Sequence, residues 1–210
     1  MSWVISAPVP YHQQDQSDYC GAAAGQMLLD KLGVGLLGQD TLFGLGIEYH
    51  LDNWWTTPAQ MANLLNLNRG SNAGTFVVDA QTDGASSMAR IIGHLIQIGT
   101  AVPVVVQSGQ HWVLVCGIET DSQPSAEGQV SILSLWINDP WPTLPASAPP
   151  PPHTDPDSCG SQDGGQANQH LVWSEWVANY FNACSLTGTS PPQYFSVVDS
   201  RATPIGSVSL

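Results

Sequence analysis

The chain has 210 residues, 42% of them hydrophobic, enough for one domain with a full apolar core. Four Lys plus Arg stand against 17 Asp plus Glu, a formal net charge of -13, which argues against nucleic-acid binding and against attraction to anionic lipid. No run approaches the roughly 18 apolar residues of a membrane span, and "MSWVISAPVPYH" lacks the basic end and long apolar core of a signal peptide. The expectation is a protein without membrane insertion, soluble, and either cytoplasmic or exported without a recognisable signal peptide.

In chain order, the first pattern is a helix from Cys20 to Leu32, with Met27, Leu28 and Leu32 on one face and Gly33 as its stop. The stretch Gly33 to Leu51 is glycine-rich and apolar and carries no assignable pattern. "TTPAQMANLLNLN" predicts a second helix: Thr57 caps it, Pro58 fits the first helical position and Gln60 completes a capping box. "SSMARIIGHLIQIG" predicts a third, with Met88, Ile91, Ile92, Leu95 and Ile96 as its apolar stripe and Gly99 ending it.

After Gly99 the texture turns to strands. "AVPVVVQ" is a nearly continuous apolar run, and "HWVLVCGIE" and "VSILSLWIND" are β-rich segments joined by "TDSQPSAEGQ". "LVWSEWVANYFNAC" carries aromatic and apolar residues at helical spacing, and "QYFSVVDS" reads as a further strand. Helices first and consecutive strands later predict an α+β fold with segregated layers. Residues 142–169 carry a proline run followed by Gly, Asp and Gln, with almost no large apolar side chain. Loops longer than about 15 residues are usually functional or disordered. The flanking segments are too small to fold alone, so residues 1–210 are read as a single domain carrying an insertion at about 142–169.

Chemistry enters with Cys20. It stands where the first helix begins, and a helix N-terminus stabilises a thiolate through its unpaired N–H groups and positive dipole end. The other cysteines, Cys116, Cys159 and Cys184, form no C-x-x-C pair with it or with one another, and a Cys159–Cys184 disulfide stays open. A thiolate that attacks carbonyls also needs a histidine to pair with it and a donor for the developing oxyanion. Gln14, six positions before Cys20, offers a neutral amide, with Gln13 and Gln16 as close neighbours. His111 opens the strand "HWVLVCGIE" after a turn-like "SGQ". His94 falls in the third helix, His50, His153 and His170 in weakly defined segments, and His12 in an extended one. An orienting partner for the imidazole is sought on a neighbouring strand, where "LWINDPW" offers Asn138 and Asp139. Successive strand side chains face opposite ways, so one of them can reach the ring.

Together, "VPYHQQDQSDYCGAAAGQMLL", "TTPAQMANLLN", "LIQIGTAVPVVVQSGQHWVLVCGIE" and "WINDPW" resemble the papain-like cysteine peptidases, and within them the bacteriocin-processing, double-glycine leader peptidases and their stand-alone relatives. The resemblance spans about residues 8–141. It implies a papain-like fold in which a helical layer carrying the nucleophile packs on an antiparallel sheet carrying His and Asp. By the same resemblance Cys20 is the nucleophile, His111 the general base and acid, Asp139 its orienting group, and Gln14 the oxyanion donor beside the Cys20 N–H. It implies hydrolysis of peptide bonds through a thioester, a peptide or protein substrate, and neither cofactor nor metal. The "YCG" box is also similar to phytochelatin synthases, without a counterpart of their His region. An acyltransferase, transglutaminase or deamidase on the same triad, or a non-catalytic papain-like binding module or effector, are the alternatives. Oligomeric state is not legible.

Overall fold

The computed structural model describes residues 1–16, 18–46, 56–141, 165–185 and 191–210. In chain order the elements are β1 (Trp3–Ser6), α1 (Cys20–Lys31), α2 (Gln39–Gly46), α3 (Pro58–Asn68), β2 (Phe76–Gln81), α4 (Gly84–Ile98), β3 (Val102–Val106), β4 (His111–Thr120), β5 (Gln129–Asn138), β6 (Gln169–Val172), α5 (Trp173–Asn179), β7 (Tyr194–Asp199) and β8 (Ser207–Ser209). Helices fill most of the first half and strands most of the second, giving the α+β arrangement that the sequence order implies.

The sheet runs β2-β7-β3-β4-β5-β6 with every neighbouring pair antiparallel. β4 is its axis. Along one edge, its first half pairs with β3 (Val106↔His111 to Val102↔Val115) and its second half with β1 (Ser6↔Gly117 to Trp3↔Thr120). Along the other edge it pairs with β5, which also takes β8 in parallel. Strand alternation then sorts the side chains between two cores. Trp112, Leu114 and Cys116 join Met27, Leu28 and Leu64 on the α1–α3 side. Val113 and Val115 join Met88, Ile91 and Ile92 on the α4 side.

The helices therefore lie in layers segregated from the sheet. α1 and α3 cover one face of the sheet, and α4 covers the other. Four of the five apolar positions assigned to the third helix, Met88, Ile91, Ile92 and Leu95, are buried, but Ile96 sits past the contact stripe and is exposed. The caps follow the sequence. Thr57 and Gln60 form the reciprocal capping box, and Gly33 and Gly99 adopt the positive φ that ends α1 and α4.

α1 is buried from Cys20 to Leu29, so it packs all round and its glycines are contacts. A Cβ on Gly21 would lie 2.4 Å from Thr56 Oγ1 and 2.5 Å from Thr56 Cβ, whereas one on Gly25 would meet the terminal Cδ2 of Leu64 at 2.7 Å. Thr56 is stiff and its carbonyl accepts from Trp112 Nε1 at 2.8 Å, while a leucine tip can rotate away. Gly21→Ala is therefore expected to destabilise the protein by about 1–3 kcal/mol and Gly25→Ala by less. Urea midpoints of the two variants check the order.

Several elements depart from the sequence reading. "LVWSEWVANYFNAC" is not one helix. Its start belongs to β6, where Leu171 pairs with Leu135, and α5 stops at Asn179. Cys184 bridges Gln193 instead. α2 lies in the stretch that carried no assignable pattern, and β1, β2 and β8 were not anticipated. Residues 142–164 of the expected insertion, with His153 and Cys159, lie outside the described residues, as does His50; the Cys159–Cys184 pairing falls there too. The insertion's final residues belong to the framework, since Asn168 N donates to Asn138 Oδ1 at 2.7 Å and Gln169 begins β6. Among the described residues no helix is long and apolar enough to cross a membrane.

Candidate active site

The antiparallel β4–β5 pairing sets the start of one strand beside the end of the next. Leu114 lies opposite Asn138, so His111 at the start of β4 and Asp139 just beyond β5 meet at one end of the sheet. His111 Nε2 lies 2.8 Å from Asp139 Oδ1, with both side chains fully covered. Asn138 turns the other way, its Nδ2 donating to Val9 O at 3.4 Å and approaching Met27 Sδ at 3.7 Å. Of the two strand-end residues, Asp139 is the one that reaches the ring.

The approach to His111 is a tight turn in which Gln107, Ser108 and Gly109 have φ of 54°, 56° and 100°. Two consecutive non-glycine residues in the left-handed region cost roughly 1–2 kcal/mol each. Gln107 N donates to Tyr180 O at 2.8 Å, which helps hold the turn.

Asp139 is held from several directions. Its Oδ1 also accepts from Trp141 N at 3.0 Å, and its Oδ2 accepts from the Tyr180 hydroxyl at 3.2 Å. Its carbonyl accepts from the Tyr11 hydroxyl at 3.0 Å, and its N–H donates to Gln166 O at 3.2 Å. Burial opposes the carboxylate, but the charge and hydrogen bond of His111, together with Trp141 N–H and Tyr180 O–H, hold its pKa below the ordinary value. For His111, burial pulls the pKa down. The Asp139 charge and hydrogen bond, followed by Cys20, outweigh it and raise the pKa above 6.5.

Cys20 is the first residue of α1. Tyr19 precedes it without a side-chain cap and is fixed by stacking on Phe43 (4.4 Å) and by donating to Asp40 Oδ1 at 2.8 Å. Cys20 lies near enough to His111 to help raise its pKa. Nδ1, the ring nitrogen left over from the Asp139 bond, nevertheless has no partner of regular hydrogen-bond geometry among the described residues. Cys20 is 2% exposed and His111 1%. The position at the helix threshold does not leave the thiol open.

Gln14 is the buried member of its trio, while Gln13 and Gln16 are exposed. Its amide donates to Gln16 O at 2.7 Å, the same carbonyl that receives Tyr19 N at 3.2 Å, so Gln14 belongs to the turn that launches α1. An amide nitrogen carries a second hydrogen for another acceptor. The backbone of Gln14 is joined to the far strand, its N–H donating to Pro140 O at 2.8 Å.

The remaining titratable groups of interest are structural. His94 is buried between Thr100 Oγ1 (3.0 Å) and Asp199 N (3.1 Å), and burial pushes its pKa down to about 4. His12 lies 2.9 Å from Asp30, and His170 stacks on Trp136 at 4.7 Å. Burial raises the Cys116 thiol to about 12 and the Cys184 thiol to about 11, so both are poor nucleophiles.

Tyr180 and Tyr11 escaped the sequence reading. Tyr180 sat in a run read as an apolar helix face; a buried tyrosine hydroxyl signals a need for a partner but not its identity. Tyr180→Phe keeps the ring and removes one hydrogen bond to Asp139. It is expected to cost about 1 kcal/mol of stability and to move the acid limb of the pH–rate profile toward higher pH, because the carboxylate loses a stabilising donor. A pH series of kcat/KM on the two proteins checks it.

No family model matches the chain, and no curated protein matches it. Among solved structures, the crystal structure of a double glycine motif protease from an AMS/PCAT transporter, in complex with the leader peptide, is similar at 12% identity, with 92% of this chain and 91% of that chain covered and a TM-score of 0.46. At that level of likeness, what this chain does has to be read from its own residues.

Proposed function

We propose that the chain is a cysteine peptidase, a single papain-like domain of residues 1–210 that hydrolyses peptide bonds through a thioester. The observation that carries this reading is His111, bonded to Asp139 through Nε2 and acted on by Cys20 at the start of α1. Three groups from distant parts of the chain thus stand in the order that nucleophile, base and orienting residue require.

In the resting enzyme the Cys20 proton resides on His111, and Asp139 fixes the ring so that Nδ1 faces the sulfur. The thiolate attacks the peptide carbonyl carbon, and the carbonyl electrons move to oxygen. The Cys20 backbone N–H and the Gln14 amide stabilise that oxyanion. On collapse the C–N bond breaks, and the leaving nitrogen takes the Nδ1 proton of the imidazolium. Water then gives its proton to the neutral ring while its oxygen attacks the thioester. The C–S bond breaks and the acid product departs, restoring the thiolate–imidazolium pair. None of these steps calls on a cofactor.

The motif resemblance to double-glycine leader peptidases makes peptides with a Gly-Gly carbonyl the first substrates to test. Incubation of such peptides with the protein, in water and with a primary amine, followed by mass spectrometry, separates the outcomes. The free acid is expected in both cases. An amide formed only with the amine would mean acyl transfer, and an intact peptide under all conditions would point to a binding module.

A further inference from the structure

Gln39, the first residue of α2, is buried and has no counterpart in the motif set that located the candidate site. Its amide is used in three directions. Oε1 accepts from Asp15 N at 2.9 Å, while Nε2 donates to Gln13 O at 2.7 Å and to Gln26 Oε1 at 3.0 Å. Gln26 lies on α1 and in turn donates to Leu37 O at 2.5 Å. Both hydrogens of Nε2 are therefore committed, and they are committed to fixed backbone and to the nucleophile's own helix.

The two backbone groups that Gln39 grips belong to the residues on either side of Gln14. The backbone of Gln14 is pinned separately, through its N–H to Pro140 O, next to Asp139. Residues 13, 14 and 15 thus each carry one anchored main-chain group, two from α2 and one from the strand end. A loop usually gains its order from packing, but here a single amide spans it. Breaking that span would free two main-chain groups in a half-buried setting and loosen the backbone on both sides of Gln14.

We propose that Gln39 is a positioning residue for the oxyanion site: it holds the 13–15 backbone so that the Gln14 amide meets the developing oxyanion. This deepens the peptidase reading and rests on Gln14 being the oxyanion donor. Oxyanion stabilisation depends on where the donor stands when charge develops, and a displacement of about 1 Å can cost about 100-fold in rate. Gln39 touches no reacting atom. Its effect is exerted wholly through the loop.

The test compares turnover with alkylation. Alkylation of Cys20 by iodoacetamide needs the thiolate but passes through no oxyanion, whereas hydrolysis of a fluorogenic Gly-Gly peptide needs both. In Gln39→Met, kcat is expected to fall about 10- to 100-fold, with KM, the alkylation rate and its pH profile within about twofold of wild type. Gln14→Ala should behave alike, and the double variant should be no slower than Gln14→Ala alone. Should Gln39→Met fold poorly, Gln39→Glu keeps the acceptor for Asp15 N and loses both donations, and the same split between turnover and alkylation is expected. Normal kcat in the Gln39 variants beside a crippled Gln14→Ala overturns the positioning role and leaves the peptidase reading intact. Loss of alkylation in step with turnover overturns it too, by showing a general collapse of the site. Normal kcat in Gln14→Ala removes the oxyanion reading itself, and the role of Gln39 with it.

Discussion

Replacing Cys20 with alanine is expected to lower peptide turnover by about 10⁴-fold or more while leaving the protein folded. In the proposed reaction the sulfur forms the thioester, and a methyl group in its place can neither attack nor leave. Structural loss should be small, because Cys20 sits at the end of a helix that is buried as far as Leu29 and is held by Met27, Leu28 and Leu29. His111→Ala should be of similar depth, since without the imidazole nothing accepts the thiol proton or returns one to the leaving amine. The two losses should not add: a Cys20→Ala, His111→Ala double variant is expected to be no slower than either single one, as groups acting as one unit behave. Initial rates on a Gly-Gly peptide, with far-ultraviolet circular dichroism as the control for folding, check all three. Turnover surviving in Cys20→Ala would place the chemistry elsewhere.

The second large effect concerns Asp139, and it divides into catalysis and stability. Asp139→Asn keeps the shape and one oxygen that can still accept from Trp141 N–H, with the amide NH2 turned to the Tyr180 oxygen, but removes the charge that raises His111. Turnover is expected to fall about 10²- to 10⁴-fold with little change in fold. Asp139→Ala removes the acceptor as well and strips the buried imidazole and Trp141 N–H of the oxygen they share. Breaking a buried pair from one side typically costs about 3–5 kcal/mol, so this variant should be the less stable of the two.

The pH dependence of stability follows from the same pair. Asp139 is held below its ordinary value, so its contribution is present above the unfolded carboxyl pKa and fades as pH falls through the lowered native value. His111 is raised, so its contribution is complete below the unfolded pKa of 6.5 and fades as pH rises through the raised native value. A stability plateau at mildly acidic pH, between the unfolded carboxyl pKa and 6.5, with losses on both sides is expected for the wild type. Asp139→Asn should lose much of both limbs. Urea midpoints across the pH range would show it, and an unchanged profile in Asp139→Asn would mean that the pair contributes nothing to folding.

How much of this was legible beforehand depended on whether the signal was local. The capping box at Thr57 and the glycine stops at Gly33 and Gly99 are short-range chemistry, and they appear where the sequence places them. The β3 and β4 runs were readable because central strands buried on both faces leave almost unbroken apolar stretches, and β5 because its apolar residues alternate with polar ones over much of its length. The partner strands were harder: β1 and β8 have three or four residues each and exist because β4 and β5 offer unpaired edges to them. α2 escaped because Gly44 and Gly46 weaken any helical pattern, while its order comes from Leu42 in the core and from Gln39 bonded to α1 and to the loop before it.

The candidate site divides in the same way. Cys20 and His111 are candidates by type and position, while strand parity left Asn138 and Asp139 open and the family resemblance chose Asp139. Tyr180 and Tyr11, which hold Asp139, and Gln39, which holds the loop around Gln14, lie 41, 128 and about 25 positions from the groups they bind. No periodicity connects such pairs. Burial of Cys20 was also illegible, since a cysteine at a helix start reads as exposed until the elements around it are packed.

The most direct measurement of the central claim is the pH dependence of Cys20 alkylation by iodoacetamide in the folded protein, followed by intact mass and peptide mapping. A thiolate paired with imidazolium should react near pH 5.5, where an ordinary thiol of pKa about 8.5 is about 0.1% ionised. One adduct on Cys20 is expected there, lost in His111→Ala, with Cys116 and Cys184 untouched because burial raises their thiols to about 12 and about 11. A Cys20 that stays unlabelled in the folded state, or that reacts only as pH climbs toward 8.5 with or without His111, would contradict the account.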